Sequence, residues 1–440
     1  MELIRRQVHE CAMWVYRLGI GLASLSDNAK AKGWIRMRKD SCVRLQEATA
    51  LLASDQQWMW FHCASVGEFE QARPVIEEWR NRHPHDAILL TFFSVSGWDA
   101  FAIRPPTWWR NGDHVSALPL DTRSAVRRFV RATERKDGAS ALRGLLFSKY
   151  DVWPNLIFAL KQRGLPVGVF AAHVIVGRWP FRRGGKFYQQ AWAALTDIWV
   201  QDQTSIDTLS SYGIVAQVAG DPRVDRVLAG AAGHVPDKLL QKWVGARPCV
   251  VIGSAWEAEW EVARKSWKQG ACMIIVPHEW TSESMASEFN RWKELGARPV
   301  LWSEHRYADS RAEFPDGDIL LVDAMGELLD LYAAGDAAVV GGGFAKGVHN
   351  TLEPAAHGKF VWVGPQVGRF REIPTMSEAG GLKVCQDEND LIQSLRAFFE
   401  QPEAVRRAGI NARNFAESHA GAGLQIVVGW EKRTQNAEDS

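Results

Sequence analysis

The stretch WMWFHCASVGEFEQARP, residues 58–74, joins an apolar run to a helical pattern through a short Ser-x-Gly-Glu connection. The run Trp58 to Phe61 is typical of a buried strand, and the residues after Ser65 have helical spacing. A strand that leads into a helix is the unit from which parallel α/β sheets are built. Glu68 would then lie in the first helical turn, at the sheet edge where such folds bind ligands. The same carboxylate could instead serve only the helix dipole.

The same alternation of apolar runs and amphipathic helical patterns recurs along the chain. In the first half the runs are Trp58 to Phe61, Ala87 to Phe93, Gly144 to Phe147, Pro166 to Phe170 and Asp197 to Val200; in the second half they are CVVIGS (249–254), MIIVPHE (273–279), ILLVDAMGE (319–327), AAVVGGG (337–343) and FVWVGP (360–365). We therefore predict an α/β protein with two Rossmann-like doubly wound domains that face a central cleft.

The segment LAGAAGHVPDKLLQKWVGARP, residues 228–248, interrupts this rhythm with small and polar residues, glycine and proline, and indicates a domain boundary. The predicted organisation has four parts. They are an N-terminal helix and basic segment (1–40), a first Rossmann-like domain (41–228), a linker (229–248) and a second Rossmann-like domain with C-terminal helices (249–440).

Overall charge and cysteine spacing exclude several classes of partner. The 440 residues carry a formal net charge of +1, so no general attraction to nucleic acid is expected. The six cysteines lie far apart without a C-x-x-C pair, which indicates neither a zinc site nor a disulfide framework.

The first 40 residues combine an apolar helical pattern with eight basic and four acidic side chains. The apolar positions are Leu3, Ile4, Val8, Cys11, Trp14, Val15, Leu18, Leu22 and Leu25. Arg17 interrupts them too early for a membrane span, and no signal-peptide cleavage site follows. Two interpretations remain: a helix docked on its own domain, or a helix lying on an anionic membrane surface.

In the second half, GGGFAKGVHNTLEPAAHG (341–358) joins a strand to a helix through glycines. Asn350 or Thr351 can cap that helix, and its free N–H groups can hold a phosphate or carboxylate. Glu353 either favours the helix dipole or accepts the hydroxyls of a ribose. Gly326 and Glu327, together with Ser254 and His278, stand at further strand ends; each alone is an ordinary connection. Together they predict a nucleotide pocket without a Walker lysine or a G-x-G-x-x-G motif.

Ordered motifs along nearly the whole chain carry a resemblance to a known family. They are FHCASVGEFEQARPVIE (61–77), LLTFFSVSGWDAF (89–101), LPLDT (118–122), KYDVWPNL (149–156), VQDQTS (200–205), GDPRVDRV (220–227), GSAWEAE (253–259), PHE (277–279), DAMGELLDLYAAGDAAVVGGGF (323–344) and GVHNTLEPAAHGK (347–359). The chain resembles the 3-deoxy-D-manno-octulosonic acid (Kdo) transferases that act on lipid A precursors, glycosyltransferases of the GT-B fold, and looks closest to Bacteroidetes-type members.

The resemblance implies inverting transfer of Kdo from CMP-Kdo to a lipid A precursor in lipopolysaccharide biosynthesis, without a metal or other cofactor. Glu68 is then the general base that deprotonates the acceptor hydroxyl, and Arg223 stands where relatives have a lysine that stabilises the transition state. The matched nucleotide contacts are Ser254, Pro277, His278, Met325, Gly326, Glu327, Asn350, Thr351, Leu352 and Glu353.

Two further motifs depart from the family pattern. Where many members have E-T-E-x-W-P-N, this chain has Lys149 in place of the first acid and the shorter Asp151 in place of the second, which we expect to be catalytic. His278 replaces an arginine that could contact phosphate, and its charge depends on pH.

The resemblance also bears on the acceptor and on location. Ser94, Ser96 and Gly97 are expected at an anionic group of the substrates. The basic loop Arg178, Arg182, Arg183 and Lys186 either binds acceptor phosphates or is a solvated face. A lipid acceptor favours peripheral attachment of residues 1–40 to the cytoplasmic face of the inner membrane. The alternatives left open are a UDP-sugar transferase or epimerase, and a membrane-associated binding protein without turnover.

Overall fold

Residues 2–149, 152–182, 184–234, 237–306, 316–368 and 370–438 are described in a computed structural model. The chain divides into two units, each with its own sheet. Unit 1 comprises Met1–Asp225 and Gly421–Ser440, and unit 2 comprises Arg226–Ala420.

The first segment of unit 1 alternates strands and helices as the sequence predicts. Its elements are α1 (Glu2–Ser24), α2 (Ala29–Arg38), α3 (Ser41–Leu51), β1 (Trp58–Cys63), α4 (Val66–Arg82), β2 (Ala87–Phe92), α5 (Val95–Ile103), β3 (His114–Ala117), α6 (Arg123–Arg131), β4 (Leu142–Ser148), α7 (Pro154–Lys161), β5 (Val167–Ala172), α8 (Lys186–Ala193), β6 (Asp197–Val200), α9 (Gln203–Ser210), β7 (Gln217–Val218) and α10 (Arg223–Gly233), which continues into unit 2.

Unit 2 repeats the pattern. Its elements are α11 (Lys238–Val244), β8 (Cys249–Ala255), α12 (Glu257–Ser266), β9 (Cys272–Pro277), α13 (Ser282–Glu294), β10 (Pro299–Leu301), α14 (Trp302–Arg306), β11 (Ile319–Leu321), α15 (Leu328–Ala334), β12 (Ala337–Val340), α16 (Leu352–Ala356), β13 (Phe360–Val363), α17 (Glu372–Glu378), β14 (Leu382–Val384), α18 (Glu388–Glu400) and α19 (Pro402–Ser418); α20 (Ala422–Glu438) returns to unit 1.

Both sheets are parallel and doubly wound. The order in unit 1 is β3-β2-β1-β4-β5-β6-β7, and the order in unit 2 is β10-β11-β9-β8-β12-β13-β14. The order reverses between β1 and β4 in unit 1, and between β8 and β12 in unit 2. Ligands of such sheets bind beyond the carboxyl ends of the strands at these reversals. The loops after β1, β4, β8 and β12 therefore lie where such sheets bind ligands.

Strand β1 shows why the apolar runs are continuous. Trp58 and Trp60 pack into the core on one face of the sheet, while Met59 and Phe61 pack into the core on the other face. Helices cover both faces of the sheet, so these side chains on both sides of the strand are buried and apolar. None of the described helices combines the length and the apolar content that crossing a bilayer demands.

The last helix corrects the predicted domain boundaries. The sequence predicts that residues 249–440 form the second domain, yet α20 packs on α4 in unit 1, where Trp430 is fully buried. Asp225 accepts hydrogen bonds from the N–H groups of Gly421 and Gly423 at the start of α20. The carboxylate of Glu431 binds Arg82 at the end of α4. These contacts join residues more than 190 positions apart, which no local pattern indicates.

The predicted linker also differs from the structure. Residues 229–248 belong to unit 2 and include α11, whose Leu240, Trp243 and Val244 are buried. Residues 1–40 are likewise part of unit 1 rather than a separate segment. The small residues at the start of this stretch therefore reflect helix packing, as at Gly230, where an added Cβ would lie 2.9 Å from Leu329.

Candidate functional site

Glu68 is held at the carboxyl edge of the unit 1 sheet by the turn between β1 and α4. Ser65 begins the helix in an extended conformation, and Glu68 is its third residue. The carboxylate accepts a hydrogen bond from the backbone N–H of Ala64, and Ser148 Oγ donates to the Glu68 carbonyl oxygen at 3.1 Å. The residue is 8% exposed. Glu68 thus supports the start of the helix, and the same bond fixes its carboxylate at the sheet edge.

Two glycines near Glu68 have different roles. A Cβ on Gly67 would meet no atom within 4 Å, so space lies open beside the helix start. A Cβ on Gly97 would lie 2.6 Å from the Phe92 ring and 3.2 Å from the backbone of Ser65. Gly97 therefore lets α5 pack against the turn that carries Glu68. Ser94 Oγ caps α5 by accepting from the Gly97 N–H at 3.3 Å.

Arg223 lies at the same edge, bound to a residue that the sequence prediction missed. Its Nε and Nη2 donate to Asp221 Oδ2 at 2.9 and 2.6 Å. Asp221 also accepts from Gln71 on α4, one turn after Glu68, at 2.8 Å. The structure thus links Arg223 to the helix of Glu68 through Asp221. The only sequence signal was an acid two residues before the arginine.

The loop after β4 departs from the family pattern. Lys149 has a positive φ of 67°, and its N–H donates to the Phe170 carbonyl at 2.8 Å. A left-handed conformation is uncommon for a residue other than glycine and marks a turn held by its surroundings. The predicted catalytic Asp151 lies outside the described residues, as does Arg183 of the basic loop.

Arg38 is a second cation at this edge of the sheet. The sequence prediction includes it only as one of the basic residues of segment 1–40. The Arg38 guanidinium lies 3.7 Å from the ring centroid of Trp34 and 4.7 Å from that of Phe93. Its Nη2 donates to the Phe93 carbonyl at 3.0 Å. Burial lowers the pKa of Arg38 to about 9. This arginine ties α2 to the end of β2, next to Ser94.

Helix α1 docks on unit 1 by its polar face. Arg6 Nε donates to Asn155 Oδ1 at 3.0 Å, and Asn155 Nδ2 donates to Glu10 Oε1 at 3.0 Å. His9 pairs with the buried Asp121 at 2.8 Å. The apolar stripe points to solvent, with exposures of 47–83%: Ile4, Val8, Trp14, Val15, Leu18, Leu22 and Leu25. The structure therefore bears out docking of the helix on its own domain, with these apolar side chains left exposed, while contact with a membrane stays a prediction.

Arginines flank this helix on neighbouring elements. On α6 four arginines are exposed: Arg123, Arg127, Arg128 and Arg131. Arg123 and Arg127 are close enough to Arg6 to lower its pKa, although burial is the larger cause. Tyr188 of α8 bonds to His9 at 3.0 Å, and the exposed Arg178, Arg182 and Lys186 lie in and just after the loop before α8. The α6 arginines lie outside both basic segments that the sequence prediction names, and only the fold brings them beside α1.

In unit 2, Asn350 and Glu353 form a pair at the start of α16. Asn350 Nδ2 donates to Glu353 Oε1 at 3.0 Å, and Asn350 Oδ1 accepts from the Leu352 N–H at 3.1 Å. Burial raises the pKa of Glu353, against the bond from Asn350 and the charge of Arg226. Thr351 is fully buried. Helix α16 has only five residues, and one of its N–H groups already donates to Asn350. An anion at this position would therefore be bound mainly by side chains and less by the N–H groups of the helix.

The loops after β8 and β12 pack tightly together. Ser254 at the end of β8 has a φ of 53°, and a Cβ on Gly341 would lie 2.2 Å from the Ser254 carbonyl oxygen. Glu259, which the sequence prediction missed, accepts from the N–H groups of Trp256 and Gly342, each at 3.0 Å. Burial raises the pKa of this 1% exposed carboxyl. Glu259 therefore fixes the glycine loop against the start of α12.

His278 stands in an aromatic group rather than alone. Its ring stacks on Trp256 at 4.2 Å and lies 4.6 Å from the ring of His349. Trp256 Nε1 is 3.4 Å from His349 Nε2, which makes that nitrogen the acceptor. Burial, helped by His278, lowers the pKa of His349. Lys346 Nζ lies 4.2 Å above the Trp256 ring and brings a cation to this group.

The remaining predicted nucleotide residues occupy the same sheet edge. Pro277 ends β9, next to His278. Met325, Gly326 and Glu327 follow β11, where Gly326 has a φ of 85° and Met325 is 78% exposed. Since all strands are parallel, the loops after β8, β9, β11 and β12 share one edge of the unit 2 sheet. Among the described residues, no three His, Cys, Asp or Glu side chains are grouped so that they could hold a metal ion.

Comparison with known proteins gives concordant sequence matches. Residues 39–226 match the family model described as 3-Deoxy-D-manno-octulosonic-acid transferase (kdotransferase). A 3-deoxy-D-manno-octulosonic acid transferase of Haemophilus influenzae is 26% identical over 370 residues, which cover 80% of this chain and 82% of that protein. The transferase of Bordetella pertussis is 26% identical over 386 residues, covering 83% and 84%.

A solved structure shows the fold. HepE of Anabaena in complex with UDP superposes with a TM-score of 0.55 at 11% identity, over 86% of this chain and 100% of that one. At this identity the likeness concerns the fold alone. The GT-B prediction of two Rossmann-like doubly wound domains is confirmed.

Proposed function

The chain belongs to the Kdo transferase family of glycosyltransferases, and from this premise we propose that it moves Kdo from CMP-Kdo to a lipid A precursor with inversion at the anomeric carbon. The observation that carries the proposal is Glu68, a buried carboxylate fixed at the strand-order reversal of unit 1 within the family's S-V-G-E motif. The reaction belongs to lipopolysaccharide core biosynthesis.

The chemistry needs one base. The acceptor hydroxyl oxygen forms a bond to the anomeric carbon of Kdo while the bond from that carbon to the CMP phosphate oxygen breaks. The hydroxyl proton passes to Glu68, and the electron pair of the broken bond leaves with CMP. We assign to Arg223 the stabilisation of the negative charge that develops on the leaving phosphate. Asp151 stays a proposed catalytic residue on resemblance alone.

The donor is assigned to the carboxyl edge of unit 2. Glu353 would accept hydroxyls of the ribose, since its partner Asn350 holds the carboxylate in one orientation. The other proposed contacts are Ser254, Pro277, His278, Met325, Gly326, Glu327, Asn350, Thr351 and Leu352. His278, His349 and Lys346 would supply the donors for phosphate that an arginine provides in relatives. We propose that no metal or cofactor takes part.

The acceptor is a lipid, and the surface around α1 supports attachment to a bilayer. The uncovered apolar stripe can enter the acyl boundary, and the arginines of α6 can bind anionic headgroups beside it. Burying six or seven large apolar side chains is worth about 1.5–3 kcal/mol each at full burial. We propose that the protein lies peripherally on the cytoplasmic face of the inner membrane.

The test is a product assay. The full-length protein is incubated with CMP-Kdo and a lipid A precursor disaccharide, and the mass of the lipid product is measured by mass spectrometry. We expect a mass increase by one or more Kdo units together with release of CMP. Turnover of UDP-sugars without turnover of CMP-Kdo would refute the proposal and favour the related UDP-sugar chemistry.

The membrane part has its own test. Flotation with vesicles that contain anionic phospholipid should retain the wild-type protein. Substituting Val15 and Leu22 of the apolar stripe by aspartate should release it, because both side chains are largely exposed and available to the acyl boundary. Retention of that variant on the vesicles would contradict the assignment of α1 as the docking element.

A further inference from the structure

Asp221 is bound from several sides at the carboxyl edge of the unit 1 sheet. Its Oδ1 accepts from Gln71 Nε2 at 2.8 Å and from the Arg223 N–H at 3.0 Å. Its Oδ2 accepts from Gln201 Nε2 at 3.2 Å and from Arg223 Nε and Nη2 at 2.9 and 2.6 Å. A carboxylate with five donors has one orientation, and it imposes that orientation on the guanidinium.

The need for such a partner follows from the chemistry of arginine. A guanidinium is a planar fork whose donors have fixed directions, whereas a lysine ammonium is a compact charge that can turn toward any acceptor. A free arginine side chain also has about 2 kcal/mol of rotamer entropy to lose when it is fixed. Asp221 binds the Nε and Nη2 edge of the Arg223 guanidinium and so fixes the plane of that group before the substrate binds.

Gln71 connects this pair to the proposed base. It lies three residues after Glu68 on α4, so the two side chains share one face of the helix. Gln71 is fully buried and its amide donates to Asp221. The Arg223 guanidinium is therefore held relative to the Glu68 carboxylate through Gln71, on the same helix as Glu68, and through Asp221. All of these residues belong to unit 1.

We propose that Asp221 is a positioning residue for the transfer reaction, which orients the Arg223 guanidinium relative to Glu68. This rests on the proposed function. Burial opposes the ionisation of Asp221, but the charge and hydrogen bonds of Arg223 outweigh it and lower the pKa of the carboxyl. Asp221 is accordingly a carboxylate throughout the neutral range, where it accepts all five bonds.

The first experiment replaces the charge and keeps the shape. Asp221→Asn should lower kcat by roughly 10- to 100-fold, the loss typical of a misplaced catalytic group, and leave both KM values within about threefold. The matched control is Asp86→Asn. Asp86 is also a buried aspartate of unit 1, paired with Arg143 at 3.1 Å, but it precedes β2 at the opposite edge of the sheet. That variant should keep kcat.

The second experiment separates positioning from folding. If Asp221 acts by orienting the planar guanidinium, its effect should largely disappear in an Arg223→Lys background, because the lysine ammonium needs no orientation. In that background, Asp221→Asn should lower kcat by less than about threefold. Should Asp221→Asn fail to fold, Gln71→Met breaks only the bond between α4 and Asp221 and should lower kcat in the same direction. Thermal unfolding and CMP binding are measured for every variant.

Three results decide the matter. A folded Asp221→Asn enzyme with wild-type kcat would overturn the inference, and so would an equal loss in the arginine and lysine backgrounds. A wild-type protein that transfers no Kdo would instead refute the proposed function, whatever the variants do.

Discussion

Replacing Glu68 by glutamine separates its two roles. The amide keeps one oxygen, which can still accept the bond from the Ala64 N–H. That bond changes from charge-assisted to neutral, so we expect the free energy of unfolding to fall by only about 1 kcal/mol. A domain that is stable by about 5–15 kcal/mol stays folded after such a loss. The amide cannot take a proton from the acceptor hydroxyl, and removing a general base typically costs about 10²- to 10⁴-fold in rate.

The assay follows Kdo transfer to the lipid acceptor in single turnover, beside CMP binding and thermal unfolding. CMP affinity should stay close to wild type, since Glu68 belongs to unit 1 and the proposed nucleotide residues belong to unit 2. Asp237→Asn is the control, because it neutralises another capping carboxylate, at the start of α11, without touching a proposed site. A Glu68→Gln enzyme that transfers Kdo within tenfold of the wild-type rate would refute Glu68 as the base.

Three further predictions follow from other parts of the molecule. Glu353→Gln should raise the dissociation constant of CMP by roughly tenfold or more, through loss of a charged acceptor for ribose, and an unchanged constant in calorimetry would count against that role. Trp430→Ala should lower the free energy of unfolding of unit 1 by about 3–5 kcal/mol, since the ring is fully buried, and denaturation with a wild-type midpoint would contradict its packing. His114 and His357 have pKa values lowered to about 4, mainly by burial. The unfolded chain takes up these protons near pH 6.5, so stability should fall between pH 6.5 and 4 by about 1–3 kcal/mol per histidine, and His114→Gln should lessen the fall measured by urea titration.

The strands could be read from sequence because both sheet faces are covered. The run Trp58 to Phe61 was expected, and β1 spans Trp58–Cys63. The run Gly144 to Phe147 corresponds to β4, Leu142–Ser148. Continuous apolar character marks such strands directly, and the polar residues that follow them fell at the carboxyl edges as predicted.

Long-range pairings were beyond the reach of local patterns. An added Cβ on Gly144 would lie 2.6 Å from the Trp430 ring, and one on Gly168 would lie 3.0 Å from it. Nothing in the sequence near either glycine indicates a tryptophan more than 260 residues away. The bond between Gln71 and Asp221 spans 150 positions and is equally invisible. Helical periodicity likewise finds the apolar stripe of α1 but cannot tell that its polar face docks.

The return of α20 to unit 1 has a consequence for synthesis on the ribosome. Unit 2 lies wholly between the two segments of unit 1, so a ribosome completes it before delivering the helix that carries Trp430. Domains commonly fold in order of emergence. Here unit 1 is begun first and completed last. The apolar face of its sheet that α20 covers therefore stays exposed in the nascent chain while unit 2 is translated. Nascent chains stalled before residue 421 should therefore recruit chaperones, and protease resistance of the Glu68 region should appear only after α20 has emerged.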